Sequence, residues 1–380
     1  MKKLNTLFLL TFISFLLACC NTKFQSNEHS KPLQSKNSSN SAVNMNLDYG
    51  GIEAMIDALE KDSLTDADVD GLLRVHGVRS MVNNVTNYLP EYGLDEFRDE
   101  VKTFAKTKKS GKSGLYFQLH YIWQTRTHVR SLIASIKKSE KEIIRSTLDQ
   151  LQRYSPKIDR LIVNVYFIGG GVSDGIVFDN SKEPAFYINL STTDDSISDY
   201  NDVVANMAHE AYHVFQKVAL NGAGMEAVAY QHDKLKTVER LIAVTLAEGT
   251  ANYVVDPTVS NAAGEMMEKS RQRYLRNAQR ERMQENFALF DSVLQEVRVK
   301  KIAWNDLYQI GFSGNNDARF YFVGYQMAKV IDKYCGFKCI GELFEKQPVE
   351  FFRQYITLYR KHPEITGRFS KSIEEFLLQY

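Results

Sequence analysis

Apolar residues recur three or four positions apart through the first half of the chain. The segments IEAMIDALEK, DADVDGLLRVHGVRSMVNNVTNYL, LYFQLHYIWQTRTHVRSLIASIKK and EKEIIRSTLDQLQRY all show this spacing, which places one apolar face on a helix. They predict a helical N-terminal region over 45–160. Its histidines, His76, His120 and His128, fall within amphipathic stretches and read as structural or exposed. At Leu161 the period changes. LIVNVYFI, GIVFD and AFYINLS are short β-branched or aromatic runs bounded by Gly, Asp, Asn and Ser, so three short strands forming a small sheet are expected. Gly169-Gly170-Gly171 lacks the Lys-Ser/Thr or the helix-opening GxGxxG of a phosphate cradle and reads as a turn. From Asn201 the helical period returns, over 201–220, about 237–255, about 263–300 and about 318–334, with shorter helices to the end. The charges of the third (EKSRQRYLRNAQRERMQE) alternate in sign, the mark of a solvated face. The fold class predicted is α+β, mainly helical, with a small sheet beside the helix that begins at 201.

The start of the chain has a different pattern. Lys2 and Lys3 precede an apolar run from Leu7 to Ala18, too short to span a bilayer comfortably and laid out like a secretory signal peptide. The run ends Leu16-Leu17-Ala18-Cys19, which resembles the bacterial lipobox. That resemblance implies a signal peptide over 1–18 and a mature protein lipidated on Cys19, exported and anchored at the cell envelope, at the outer membrane or cell surface. Residues 19–44 are rich in Asn, Ser, Lys and Gln with little to bury, the composition of a flexible tether. The remaining sequence, at 44% hydrophobic overall, can bury a sizeable core. A net charge of +1 with acids and bases intermixed gives no footprint for nucleic acid. Besides Cys19 and Cys20 there are only Cys335 and Cys339, which excludes a disulfide scaffold. These two can bridge or simply pack, and packing is the expectation.

Candidate chemistry sits in VVANMAHEAYHVFQKVAL. It contains His209-Glu210-Ala211-Tyr212-His213, an HExxH pattern on an apolar-periodic helix. Residues four apart lie about 6 Å apart along one face, so two imidazoles can converge on one tetrahedral metal. Glu210 lies about 100° round the helix from His209, within reach of a metal-activated water without ligating the metal. Val204, Met207, Ala208, Ala211, Phe215 and Val218 form the apolar stripe; Asp202, Asn206, His209, His213 and Gln216 form the polar one. A second helix, TVERLIAVTLAEGTANYVVD, is apolar nearly all round yet carries Glu248. An unpaired carboxylate there would cost several kcal/mol, so a cation is expected beside it. Gly249 would allow the motif helix to approach closely, and Asn252 could orient a ligand imidazole.

These residues resemble the gluzincin-type metallopeptidases, in which HExxH is followed by a helix bearing a third ligand, Glu. More narrowly they resemble bacterial zinc-dependent peptidases with AHExxH, a later EG-small-Ala segment and a YxxG helix. Here those are Ala208 to His213, Glu248-Gly249-Thr250-Ala251, and Tyr321-Phe322-Val323-Gly324-Tyr325. The likeness runs from about residue 160 to about 360. The gap between His213 and Glu248 is longer than in the compact members, and Asn252 stands where they often carry Asp. The resemblance implies a zincin-like domain over 161–380, with Zn2+ held by His209, His213 and Glu248. Glu210 would be the general base for attack of zinc-bound water on a peptide bond, and a peptide or protein would be the substrate. For the oxyanion it offers Tyr325 first, then Tyr321 and His232. Phe186 to Leu190 would be the edge strand that pairs with substrate. Two other classes share these residues: a lipoprotein binding module with a structural or inactive metal site, and a zinc hydrolase of non-peptide amides.

Overall fold

A parallel strand pair must be joined by a crossover rather than a tight turn, and that requirement organises the first half of the molecule. The computed structural model describes residues 43–111, 113–152, 154, 158, 160–177, 183–191, 199–222, 237–258, 265–299 and 302–380. The signal segment, Cys19, most of the tether and His232 lie outside these residues. Strand β1 (Val43–Asp48) pairs parallel with β2 (Leu161–Ile168), in register from Val43 opposite Leu161 to Asp48 opposite Tyr166. Among the described residues, six helices run between them: α1 (Gly50–Glu60), α2 (Asp66–Arg74), α3 (His76–Tyr88), α4 (Leu94–Thr107), α5 (Gly114–Phe117) and α6 (Leu119–Gln152). The N-terminal helices are therefore the crossover of a shared sheet. Ser41–Tyr380 forms one compact unit, and β1 begins inside the segment expected to be tether.

Local sequence explains where the helices break. Thr65 caps α2 by accepting from the Asp68 amide at 3.2 Å, while the Asp68 carboxylate accepts from the Thr65 amide at 2.9 Å. The stretch expected to be one helix over 66–89 is interrupted at Val75, whose ψ of 122° is extended. Conversely, the two segments expected over 115–154 merge into α6, with a non-helical residue only at Ser139. Helix α4, which the pattern reading passed over, buries Phe97, Val101 and Phe104.

The sheet has four strands in the order β1-β2-β4-β3, where β3 is Gly175–Ile176 and β4 is Ala185–Asn189. Strand β2 alternates as expected, with Leu161, Val163, Val165 and Phe167 inward and Ile162 outward. Strand β4 is buried at every position, parallel to β2 and antiparallel to β3. The expectation that Phe186 to Leu190 is an edge strand is thus corrected. Its main chain is already paired on both sides, and the outer strand is β3.

The remaining described elements are mainly α-helices: α7 (Tyr200–Gly222), α8 (Thr237–Val254), α9 (Glu265–Ala278), α10 (Arg280–Arg298), α11 (Trp304–Gly311), α12 (Arg319–Cys335), α13 (Phe337–Leu343), α14 (Val349–Lys361) and α15 (Lys371–Gln379). The single charged helix expected over 263–300 is two, broken at Gln279 with ψ of 137°. Cys335 and Cys339 are disulfide-bonded with Cα atoms 5.9 Å apart, which corrects the packing expectation. Gly336, at φ of 88°, turns the backbone so that α13 returns beside the end of α12. No described helix is long and apolar enough to cross a membrane.

Candidate metal centre

Helix α7 starts where Asp199 accepts from the amides of Asn201 and Asp202, at 2.8 and 3.2 Å. It packs against β4, α6 and α8. Its polar stripe meets protein instead of solvent. Asp202 is fully buried and accepts from the Met267 amide at the start of α9, while Glu210, His213 and Gln216 are 8%, 6% and 1% exposed. Polar groups withdrawn this far from water need partners, and α8 supplies those of His213 and Gln216.

Glu248 reaches both histidines. Its Oε2 lies 3.4 Å from Nε2 of His209 and 3.4 Å from Nε2 of His213, and the two Nε2 atoms are 3.1 Å apart. Around a tetrahedral zinc with bonds of about 2.0–2.2 Å, ligand atoms stand roughly 3.3–3.5 Å from one another. The triangle already has nearly that size, and two imidazoles with one carboxylate are a donor set zinc takes. The residues fit the ion.

The ring of His213 is fixed from behind. Its Nδ1 is 2.9 Å from Oε1 of Gln216, whose amide donates to the Ala247 carbonyl at 3.0 Å and to Oγ1 of Thr250 at 2.9 Å. Orienting the imidazole was expected of Asn252. That residue lines the cavity, while its carbonyl accepts from the hydroxyl of Tyr274, and the orienting group is Gln216. Its place three residues after His213 was the available signal.

Glu248 owes its position to a helix crossing. A Cβ on Gly249 would stand 2.2 Å from the Cα of Gly324, and one on Gly324 would stand 2.1 Å from the Thr245 carbonyl oxygen. Two bare glycines let α8 and α12 touch backbone to backbone. The close approach expected between Gly249 and the motif helix is therefore made by α12 instead. The EG and YxxG segments are two halves of this one crossing.

Above it opens a cavity of about 1570 Å³ whose lining includes His209, Glu210, His213, Glu248 and Tyr321. Tyr325 is elsewhere. One turn further along α12, about 6 Å, its hydroxyl donates to the buried Asp256 and receives Lys329 at 3.3 Å. The chain belongs to the family described as "Putative zinc dependent peptidase (DUF5700)", whose pattern matches residues 69–364. No curated protein and no solved structure matches it. The matched span takes in most of the crossover helices as well as the motif helices, so the family's pattern extends well before residue 160, where the sequence likeness began.

Electrostatics follow from burial and from the close charges. Burial pushes the Glu210 carboxyl up, and the nearby Glu248 and Asp174 carboxylates add to this against the pull of His209 and His213. Burial would lower His213, yet the charge and hydrogen bond of Glu248 outweigh it and hold the ring up at about 9. For Glu248 burial is likewise outweighed, by His213 first, and its carboxylate lies well below the ordinary range. Burial raises the Tyr321 hydroxyl well above its usual value, with Glu248, Tyr308 and Glu210 contributing.

The outer strand completes the site. A Cβ at Gly175 would fall 2.2 Å from Oε1 of Glu210, so only glycine lets the carboxylate lie against β3.

Proposed function

We propose that this protein is a gluzincin-type, zinc-dependent peptidase that hydrolyses extended peptides. In this reading His209, His213 and Glu248 hold the zinc, which when bound acts as a Lewis acid towards water and a substrate carbonyl. Glu210 takes the proton from the attacking water and hands it to the departing amine. Tyr321 donates its hydroxyl to the oxygen on which negative charge develops; it lines the cavity, whereas Tyr325 is held away by Asp256. Strand β3 offers its outer edge to the substrate backbone beside Glu210. The observation that carries the reading is the 3.1, 3.4 and 3.4 Å triangle of donor atoms in the same cavity wall as Glu210. An exported, Cys19-anchored protein is part of the same proposal, and the disulfide between Cys335 and Cys339 supports an oxidising compartment.

The test is metal content by elemental mass spectrometry beside hydrolysis of a quenched-fluorescence peptide library. Glu210→Gln is expected to keep about one zinc per protein molecule and lose hydrolysis, with His213→Ala losing both. Turnover by Glu210→Gln at the parent's rate would overturn the assignment of the base.

A further inference from the structure

The cavity has a second wall made of amides. Helix α3 turns Ser80, Asn83, Asn84 and Asn87 toward it, and α11 contributes Asn305 and Gln309. Neither set serves the metal ligands.

Solvation alone does not account for the α3 stripe. A face that merely meets water is cheaply built from Lys, Glu, Gln or Arg, whereas asparagine is a weak helix former because its carboxamide competes for the backbone. Three asparagines within five positions work against the helix that carries them. Asn84 adds a further cost: the residue is only 2% exposed, and its Oδ1 has no hydrogen-bond partner. That oxygen would stand 3.6 Å from a Cβ at Gly171, in the triple-glycine turn. Such local conflicts are expected where a helix serves a ligand.

The spacing of the stripe identifies the ligand's chemistry. Asn83 and Asn87 are four apart, as are Asn305 and Gln309, and four residues of helix advance about 6 Å. An extended peptide repeats its backbone groups on one side every second residue, about 6.6–6.8 Å. A carboxamide presents an acceptor and two donors, the complement of a backbone carbonyl and N–H. The end of α3 also reaches the chemistry, because Tyr88 lines the same cavity as Tyr308, Tyr321 and Glu248. We infer that Asn83, Asn84 and Asn87, with Asn305 and Gln309 in the lining of the same cavity, form a subsite that grips the backbone of an extended peptide without reading its side groups. This rests on the peptidase reading and specifies its substrate class: unstructured polypeptide of many sequences.

The experiment measures binding apart from hydrolysis. Zinc-loaded full-length protein carrying Glu210→Gln is titrated into a fluorescein-labelled Ala/Ser decapeptide and into a twin N-methylated at alternate residues. The plain decapeptide is expected to bind, and Asn87→Ala or Asn84→Leu added to that protein to weaken binding about tenfold, roughly the worth of one hydrogen bond. The methylated twin should bind weakly to the Glu210→Gln protein and lose nothing more in the asparagine variants. Asn87 is exposed, so its replacement keeps the test valid should Asn84→Leu fail to fold. Undiminished binding by Asn87→Ala overturns the subsite. So does a protein that ignores the bare decapeptide and binds a glycosylated one. Cleavage of the same decapeptide by the unmodified protein is scored separately: binding without cleavage sinks the peptidase reading and leaves the subsite standing.

Discussion

Two walls of one cavity are built on opposite terms. On the α7–α8 wall the three donor residues and their support are tied together: Glu248 to both histidines, His213 to Gln216, and Gln216 to Ala247 and Thr250. On the α3 wall the amide-bearing Asn83 and Asn87 are exposed in the cavity lining, and between them the buried Oδ1 of Asn84 is unpaired. The difference teaches how the labour is divided. A metal and a proton shuttle need atoms fixed before substrate arrives, since reorganisation during the reaction costs rate. A surface that must accept many sequences gains from hydrogen-bonding capacity that only the ligand satisfies.

The harshest way to break the contrast is to loosen the fixed wall at its crossing. Gly249→Ala would drive a methyl group into the Gly324 backbone, where nothing flexible can yield. A loss of about 3 kcal/mol in denaturant unfolding is expected, near the top of the overpacking range, together with weakened zinc binding as Glu248 shifts. Unchanged stability would show that α8 and α12 are not held in contact. Next comes the pair of tyrosines. Tyr321→Phe is expected to lower kcat by roughly 10²-fold with zinc content intact, as for removal of one oxyanion donor. Tyr325→Phe, which removes only the contacts to Asp256 and Lys329, should leave kcat near the parent's value. The reverse ranking would return the role to Tyr325.

How much of this was legible beforehand depends on what each feature needed. His209, Glu210 and His213 lie within one helix, so spacing alone brought them together, and Glu248 declared itself as an acid in an otherwise apolar helix. The swap between Tyr321 and Tyr325 was hidden because both lie on a similar side of α12, and only the depth of the Gly249 and Gly324 crossing decides which one reaches the cavity. Strand β1 was hidden for another reason. VNMNLD alternates weakly, in a segment whose flank reads as tether, and its partner β2 is more than a hundred residues away. Non-local pairing of this kind leaves little trace in a local pattern. The strand at GIVFD was read correctly as β3, but its place at the outside of the sheet was not, since strand order is set by pairing and not by the local pattern.

The smallest effect expected, and the one that sharpens the comparison most, is at Gln216. Gln216→Leu keeps the volume of the residue but frees Nδ1 of His213 and leaves the Ala247 carbonyl without that donor. The ligands themselves remain, so zinc should still bind, with affinity lower by roughly 10- to 100-fold as for other residues that orient a metal-binding imidazole. Competition against a chelator of known affinity reads this directly. The matching change on the open wall, Asn87→Ala, should leave zinc affinity unmoved, because that exposed residue lies on α3, outside the α7–α8 hydrogen bonds that hold the histidines and Glu248. If both substitutions weakened zinc equally, the two walls would form one mechanical unit and the division between fixed and open surfaces would fail. If only Gln216→Leu did, the fixed wall would end at the α7–α8 contact, and substrate recognition could be altered on α3 without disturbing the metal.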